Sequence, residues 1–130
     1  MISESKKVPP AIAVERVDHV TVDVTDIDRA KQFYGGLFGL TEVPRPPSFT
    51  FPGAWYQVGP VFVHLVVKPQ PDPDSPRHFC VWVQDVHAAA DSVAQAGFAV
   101  QWDDFKIPGV DRFFTADPDG NRLEVQGAER

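Results

Sequence analysis

His19-Val-Thr-Val-Asp-Val24 recurs, with its apolar positions kept, as His78-Phe-Cys-Val-Trp-Val83. The offset of 59 residues also aligns Asp26 with Asp85 and Ala30 with Ala89. A second side chain of metal-binding type follows each histidine, His64 after 45 residues and Glu124 after 46. Two copies of one unit, each supplying two donor side chains, point to a metal site built between the copies.

Both stretches alternate strictly. Val20, Val22 and Val24 fall on one face of an extended chain and His19, Thr21 and Asp23 on the other; Phe79, Val81 and Val83 oppose His78, Cys80 and Trp82. Val61, Val63, Leu65 and Val67 oppose Phe62, His64 and Val66, while Leu123 and Val125 oppose Arg122, Glu124 and Gln126. Period-two alternation with β-branched residues signals strands and sets every donor opposite an apolar packing face. Each repeat then changes to helical spacing. Ile27, Ala30, Phe33 or Tyr34, and Leu37 follow a cap at Thr25 or Asp26; Val86, Ala89, Val93 and Ala96 follow Asp85 and stop at Gly97. Further strands are expected at 54–58 and 61–67, then at 99–102, 112–116 and 122–125, with Pro118-Asp119-Gly120 turning the last two into a hairpin. Strand, helix and about three strands thus occur twice.

Residues 1–13 read as a loose tail and 14–130 as one domain, with modules at about 14–68 and 77–127 joined by a proline-rich linker at 69–76. A second loop, from Val43 to Pro52, carries Arg45, Phe49 and Phe51 and reads equally as a plain connection or a pocket rim.

At 130 residues, 43% hydrophobic and 23% charged, the chain has the composition of a soluble globular domain able to bury a core. A net charge of −6 with no basic run argues against nucleic acid or an anionic membrane as partner. Cys80 is the sole cysteine, which excludes an intrachain disulfide and makes a cytoplasmic, reducing setting the default. Among apolar neighbours it reads as core filler rather than nucleophile. No stretch reaches the roughly 20 apolar residues needed to span a bilayer, and the residues before Pro9-Pro10 lack the apolar centre of a signal peptide.

Neutral imidazoles with one carboxylate suit Zn, Ni, Mn, Co or Fe(II), and a site they form leaves positions open for water and substrate. His19, His64, His78 and Glu124 are therefore the expected ligands, with Glu124 also placed to take a proton. A single histidine on a strand is more often a satisfied core or surface residue; the repeat and the apolar neighbours of all three argue for ligands. His87, on the polar side of a helix start, reads as solvated surface. Arg45 and Arg112 could bind a carboxylate or phosphonate, although solvated arginine is the plainer reading of each. Among aromatics able to wall a pocket (Phe49, Trp55, Phe62, Trp82, Trp102), Phe62 shares strand parity with His64 and Trp82 with His78.

The chain resembles the glyoxalase/bleomycin-resistance/extradiol-dioxygenase family, the vicinal oxygen chelate superfamily. The resemblance lies in Val17-Asp-His-Val-Thr-Val-Asp-Val24, Phe33-Tyr34 with Leu37-Phe-Gly-Leu40, Gly53-Ala-Trp-Tyr56, Val63-His-Leu65, His78-Phe-Cys-Val-Trp-Val83 and Phe113-Phe-Thr-Ala-Asp-Pro-Asp-Gly-Asn-Arg-Leu-Glu-Val125. It spans about residues 14–127 and implies an α+β fold: paired βαβββ modules forming a half-open barrel around a divalent metal, usually within a homodimer. Carried over by position, His19 and His78 open their strands as ligands, with His64 and Glu124 as the second ligand of each module. Glyoxalase I typically has a glutamate where this chain has His64. Extradiol dioxygenases usually have a tyrosine where this chain has Phe114, and no equivalent is found of the basic, potassium-binding loop of fosfomycin-resistance transferases. The leading expectation is a metal-dependent, glyoxalase-like enzyme acting on a small molecule with vicinal oxygens, by proton abstraction next to a carbonyl. The alternatives are a metal-free drug-binding protein and, behind it, an extradiol-type oxygenase.

Overall fold

A computed structural model describes residues 11–130, so the first ten residues of the expected tail at 1–13 lie outside it. The alternating stretches form β1 (His19–Val24), β4 (Val61–Val67), β5 (His78–Trp82) and β8 (Arg122–Ala128). Between β1 and β4 run α1 (Ile27–Lys31), β2 (Thr41–Val43) and β3 (Gly53–Val58). Between β5 and β8 run α2 (Val86–Gln95), β6 (Gln101–Trp102) and β7 (Val110–Ala116). Both helices begin as expected: Asp26 accepts the Arg29 N–H at 3.1 Å and Asp85 the Ala88 N–H at 3.0 Å. Gly97, at φ +90°, follows the end of α2.

Three local readings change. The first helix is not α as far as Leu37, because Gln32–Leu37 winds as a π-helical turn. That wider turn carries the adjacent Phe33 and Tyr34 both into the core, each 1% exposed, and Gly35-Gly36 tolerates it. β2 is too short for alternation to reveal, and the expected strand at 99–102 contracts to two residues. Cys80 is exposed and not core filler. Its neighbours Phe79 and Val81 face the core, while Cys80 shares the parity of His78 and lies opposite Glu124 in the sheet register. Desolvation of its thiol, with the Glu124 charge, pushes its pKa up to about 11.

The strands make two four-stranded sheets, ordered β1-β4-β3-β2 and β5-β8-β7-β6, and neither closes. β1 runs parallel to β4 and β5 to β8, with the other pairs antiparallel. In the first module Val22, Val24, Ala54, Tyr56, Val63 and Leu65 bury against Ala30, Phe33 and Tyr34. In the second, Phe113 and Val125 bury against Val86, Ala90 and Val93. The cores are joined, because Leu123 and Phe98 pack with the first cluster and Leu37 and Phe38 with the second. Each fully buried large side chain contributes about 1.5–3 kcal/mol. Since the helix-bearing faces share this core, the donor-bearing face of each sheet turns away from it.

The turn Asp117-Pro-Asp-Gly-Asn121 clamps the modules together. The buried Asp117 carboxylate accepts the Tyr34 hydroxyl at 2.7 Å and the N–H groups of Asp119 and Asn121 at 2.9 Å each. Asp119 accepts the Thr25 N–H at 2.9 Å and its hydroxyl at 2.6 Å, and Asn121 Nδ2 donates to the Asp23 carbonyl at 2.8 Å. Burial, then the Asp117 charge, raises the Tyr34 phenol far above its ordinary range, so it stays a donor.

Candidate metal and substrate site

On the first sheet, β1 and β4 bring the imidazoles of His19 and His64 into a stack with centroids 4.0 Å apart. Trp55, directly across from His64 on β3, stacks on its other face at 4.0 Å and 3°. A carboxylate can only accept, so the 2.9 Å contact from His19 Nδ1 to Asp18 places the proton on Nδ1 and leaves Nε2 with its lone pair. Neither ring nitrogen of His64 has a hydrogen-bond partner among the described residues. Burial, and then the neighbouring His19, push the His64 pKa down and keep it neutral, the form that binds metals. Phe49, Trp55 and Phe62 line an open pocket of about 520 Å³ beside these rings.

On the second sheet, His78 Nε2 lies 2.9 Å from Glu124 Oε1. Its Nδ1 lies 2.8 Å from the Pro76 carbonyl oxygen. Both partners are acceptors, and a neutral imidazole has one N–H. One of these contacts is a hydrogen bond from the ring, and the other calls for a second proton on the ring or a metal ion at Nε2. The 2.9 Å gap also fits two adjacent ligands of one ion, which at about 2.1 Å from the metal are about 3 Å apart. Glu124 Oε2 is fully engaged: Gln126 Nε2 donates at 2.8 Å and Arg112 Nη1 at 3.1 Å. Burial opposes ionisation of Glu124, but the hydrogen bonds from Gln126, Arg112 and His78 outweigh it and hold the carboxyl below its usual range.

The remaining expected residues divide. Trp55 and Phe62 line the cavity beside His19 and His64. Trp82 is 61% exposed on the His78 face. Arg45 lies in the loop before β3, its guanidinium 5.5 Å from the Phe51 ring. Arg112 is no solvated arginine: besides Glu124, it bonds Asp103 at 3.0 Å and the Phe105 carbonyl at 2.8 Å. Trp102 packs on Phe113 and on His87, away from the donor face. His87 is not solvated surface either, since its Nε2 meets Asp111 at 2.7 Å, which Lys106 also approaches at 2.8 Å. Reading from sequence passed over Arg122. Its parity with Glu124 was visible, but a lone arginine beside a turn carries no chemical signature.

Among the described residues, no three His, Cys, Asp or Glu side chains lie close enough to hold one ion. The donors come as two pairs, His19 with His64 and His78 with Glu124, on separate sheets. The model of the Glyoxalase/Bleomycin resistance protein/Dioxygenase superfamily matches residues 16–125. The chain belongs to that superfamily. Within it, the chain is 25% identical to "Glyoxylase I 4" of Arabidopsis thaliana over 84% of its own length and 68% of the relative's. It is 29% identical to "Glutathione transferase FosA" of Serratia marcescens, over 86% and 80%. A crystal structure of a glyoxalase family protein from Bacillus anthracis superposes with TM-score 0.82 at 27% identity, covering 92% of this chain and all of the other. These superfamily relatives differ in activity, so the reaction must be argued from the donor face.

Proposed function

We propose that this superfamily member is a divalent-metal-dependent enzyme of the glyoxalase-like group. It acts on a small substrate with vicinal oxygens by abstracting a proton next to a carbonyl, as a lyase or isomerase. The observation that carries the reading is His78 Nε2 set 2.9 Å from Glu124 Oε1, the spacing of two neighbouring ligands of one ion, on the same kind of face that pairs His19 with His64. His78 and Glu124 supply one half of the ligand set and His19 and His64 the other, and a second protomer brings the halves together. β1 and β5 are each paired on one side only, and Trp82, Val17, Val14 and Ile12 are exposed, which suits a homodimer joined along these edges. A small-molecule site in a cytoplasmic protein goes with this reading.

Zn, Ni, Mn, Co or Fe(II) fits three imidazoles and one carboxylate, and such an ion, held by His19, His64, His78 and Glu124, would polarise adjacent substrate oxygens and acidify the neighbouring carbon. Asp18 and the Pro76 carbonyl hold His19 and His78 with Nε2 forward. Arg112 and Gln126 occupy Glu124 Oε2, so Oε1 would be the oxygen that holds the ion and, once released from it, accepts the substrate proton. Trp55, Phe62 and Trp82 wall the substrate and Arg45 stands at the rim, while Arg112 acts through Glu124.

Elemental analysis of the purified protein tests this. About one divalent ion per chain is expected, with His19→Ala and Glu124→Ala each folded and metal-free. Mixed and allowed to exchange subunits, these two variants recover about a quarter of the metal, because each mixed dimer regains one intact site. Unchanged metal in both single variants removes the proposal. Recovery of none on mixing removes the shared site.

The Trp55–His64–His19 stack favours a second reading, a metal-free binder of planar drugs. It predicts drug binding that survives chelator treatment. A screen of hemithioacetals, catechols and fosfomycin separates the enzymatic readings, and oxygen uptake with a catechol would select the dioxygenase, for which Phe114 offers no acidic hydroxyl.

A further inference from the structure

Arg122 lies directly across from His78 in the register of β5 and β8 and two residues before Glu124, on the same face. Its guanidinium sits 3.9 Å from the centre of the Phe114 ring, and that ring packs edge-on against His78 at 5.0 Å. Among the described residues no carboxylate pairs with Arg122. Two neighbouring cations are in a different position: Arg112 is held by Asp103 and Glu124, and Lys68 by Asp23 at 2.8 Å and Asp72 at 3.2 Å. Arg77, the other arginine here, is likewise without an ion-pair partner among the described residues. Arg77, His78 and Arg122 share the lining of a groove of about 750 Å³ between β1, the proline-rich linker and the start of β8, a size that takes a small molecule.

We propose that Arg122 is an anion-binding subsite beside the metal ligands, so that the substrate carries a carboxylate, phosphonate or phosphate in addition to its vicinal oxygens. This rests on the metal-site reading for the place of the oxygens but not for the subsite itself. A cation stacked on an aromatic face keeps its planar N–H edge pre-organised and only partly hydrated, the state in which it grips an oxyanion in two-pronged fashion. The groove lining also holds Asp23 and Asp72, both paired with Lys68, and Asp74, so its charge is mixed and the anion is held locally at Arg122. The substrate then spans two anchors, chelating oxygens at His78–Glu124 and an anionic group at Arg122.

Calorimetric titration of metal-loaded protein with catechol and with 2,3- and 3,4-dihydroxybenzoate compares the same pair of oxygens with and without a carboxylate. One of the acids is expected to bind at least about tenfold more tightly than catechol, a difference of about 1.4 kcal/mol. Arg122→Ala is expected to erase that preference with metal content and catechol affinity kept, and Arg122→Lys to restore part of it. Equal affinity for all three ligands in the wild type, or a preference that survives Arg122→Ala, overturns the proposal. Benzoate titration of chelator-treated protein by NMR reads the subsite without metal. Arg122-dependent benzoate binding in a protein that takes up no metal upholds the subsite while the metal reading fails. Benzoate binding indifferent to Arg122→Ala overturns the subsite while leaving the metal reading intact.

Discussion

Histidine chemistry in this chain is decided by what each ring nitrogen meets. His19 and His78 each set Nδ1 against an oxygen acceptor, and His78 sets Nε2 against Glu124, whereas His87 points Nε2 at Asp111 and stacks on Trp102. Asp111 is a carboxylate off the donor face with two cationic-type side chains on it, Lys106 and His87. The Lys106 and His87 hydrogen bonds, with the Arg130 N–H, hold its pKa far below the usual range. A depressed folded pKa contributes stability that is present above the unfolded value near 3.9 and lost as pH falls through the folded one. Asp111→Asn should therefore lower the melting temperature at neutral pH, with the gap from wild type narrowing as the pH is taken below about 4. Thermal melts across that range check it, and a gap that is constant with pH would show the interaction to be packing alone. The candidate ligand histidines could be read from residue type and parity, but the acceptors beside them could not, because Pro76 and Asp18 act through position and not through identity.

At the scale of elements, the two helices start at aspartates whose capping is local and legible in order of sequence. What presses α2 onto its sheet is less visible. Gly127 on β8 leaves no room for a side chain, since a β-carbon there would meet Val86 Cβ at 2.8 Å and the Val83 carbonyl at 3.2 Å. Gly127→Ala should push the start of α2 off β8 and cost about 1–3 kcal/mol, as overpacking does. Denaturant unfolding measures this, and an unchanged midpoint would mean that the helix shifts freely. The turn at 117–121 was recognisable as a hairpin, yet its use as a clamp was not. Its partners Thr25, Tyr34 and the Asp23 carbonyl lie more than eighty residues away in sequence.

For the whole molecule, two half-barrels share one core through their helix-bearing sides and leave both donor faces uncovered. A homodimer along β1 and β5 would cover them, and sedimentation should find twice the chain mass. Trp82→Glu, placing a charge on the exposed donor face, should weaken dimer formation and metal uptake together. A monomer that holds a full complement of metal would contradict this arrangement.

The chain's own order of residues determined the duplicated unit, the strand faces, the Asp85 cap and which four side chains are the candidate metal ligands. These follow from periods of two and 3.6 and from residue chemistry, which are properties of neighbours along the chain. Tertiary structure alone decided that the donors part into His19 with His64 and His78 with Glu124. It also decided that Arg112 is engaged by Glu124, that Cys80 faces outward and that Arg122 has no carboxylate partner among the described residues. Those outcomes depend on which faces share the core and on which charges meet across strands, and such distances are written nowhere in the spacing of the residues.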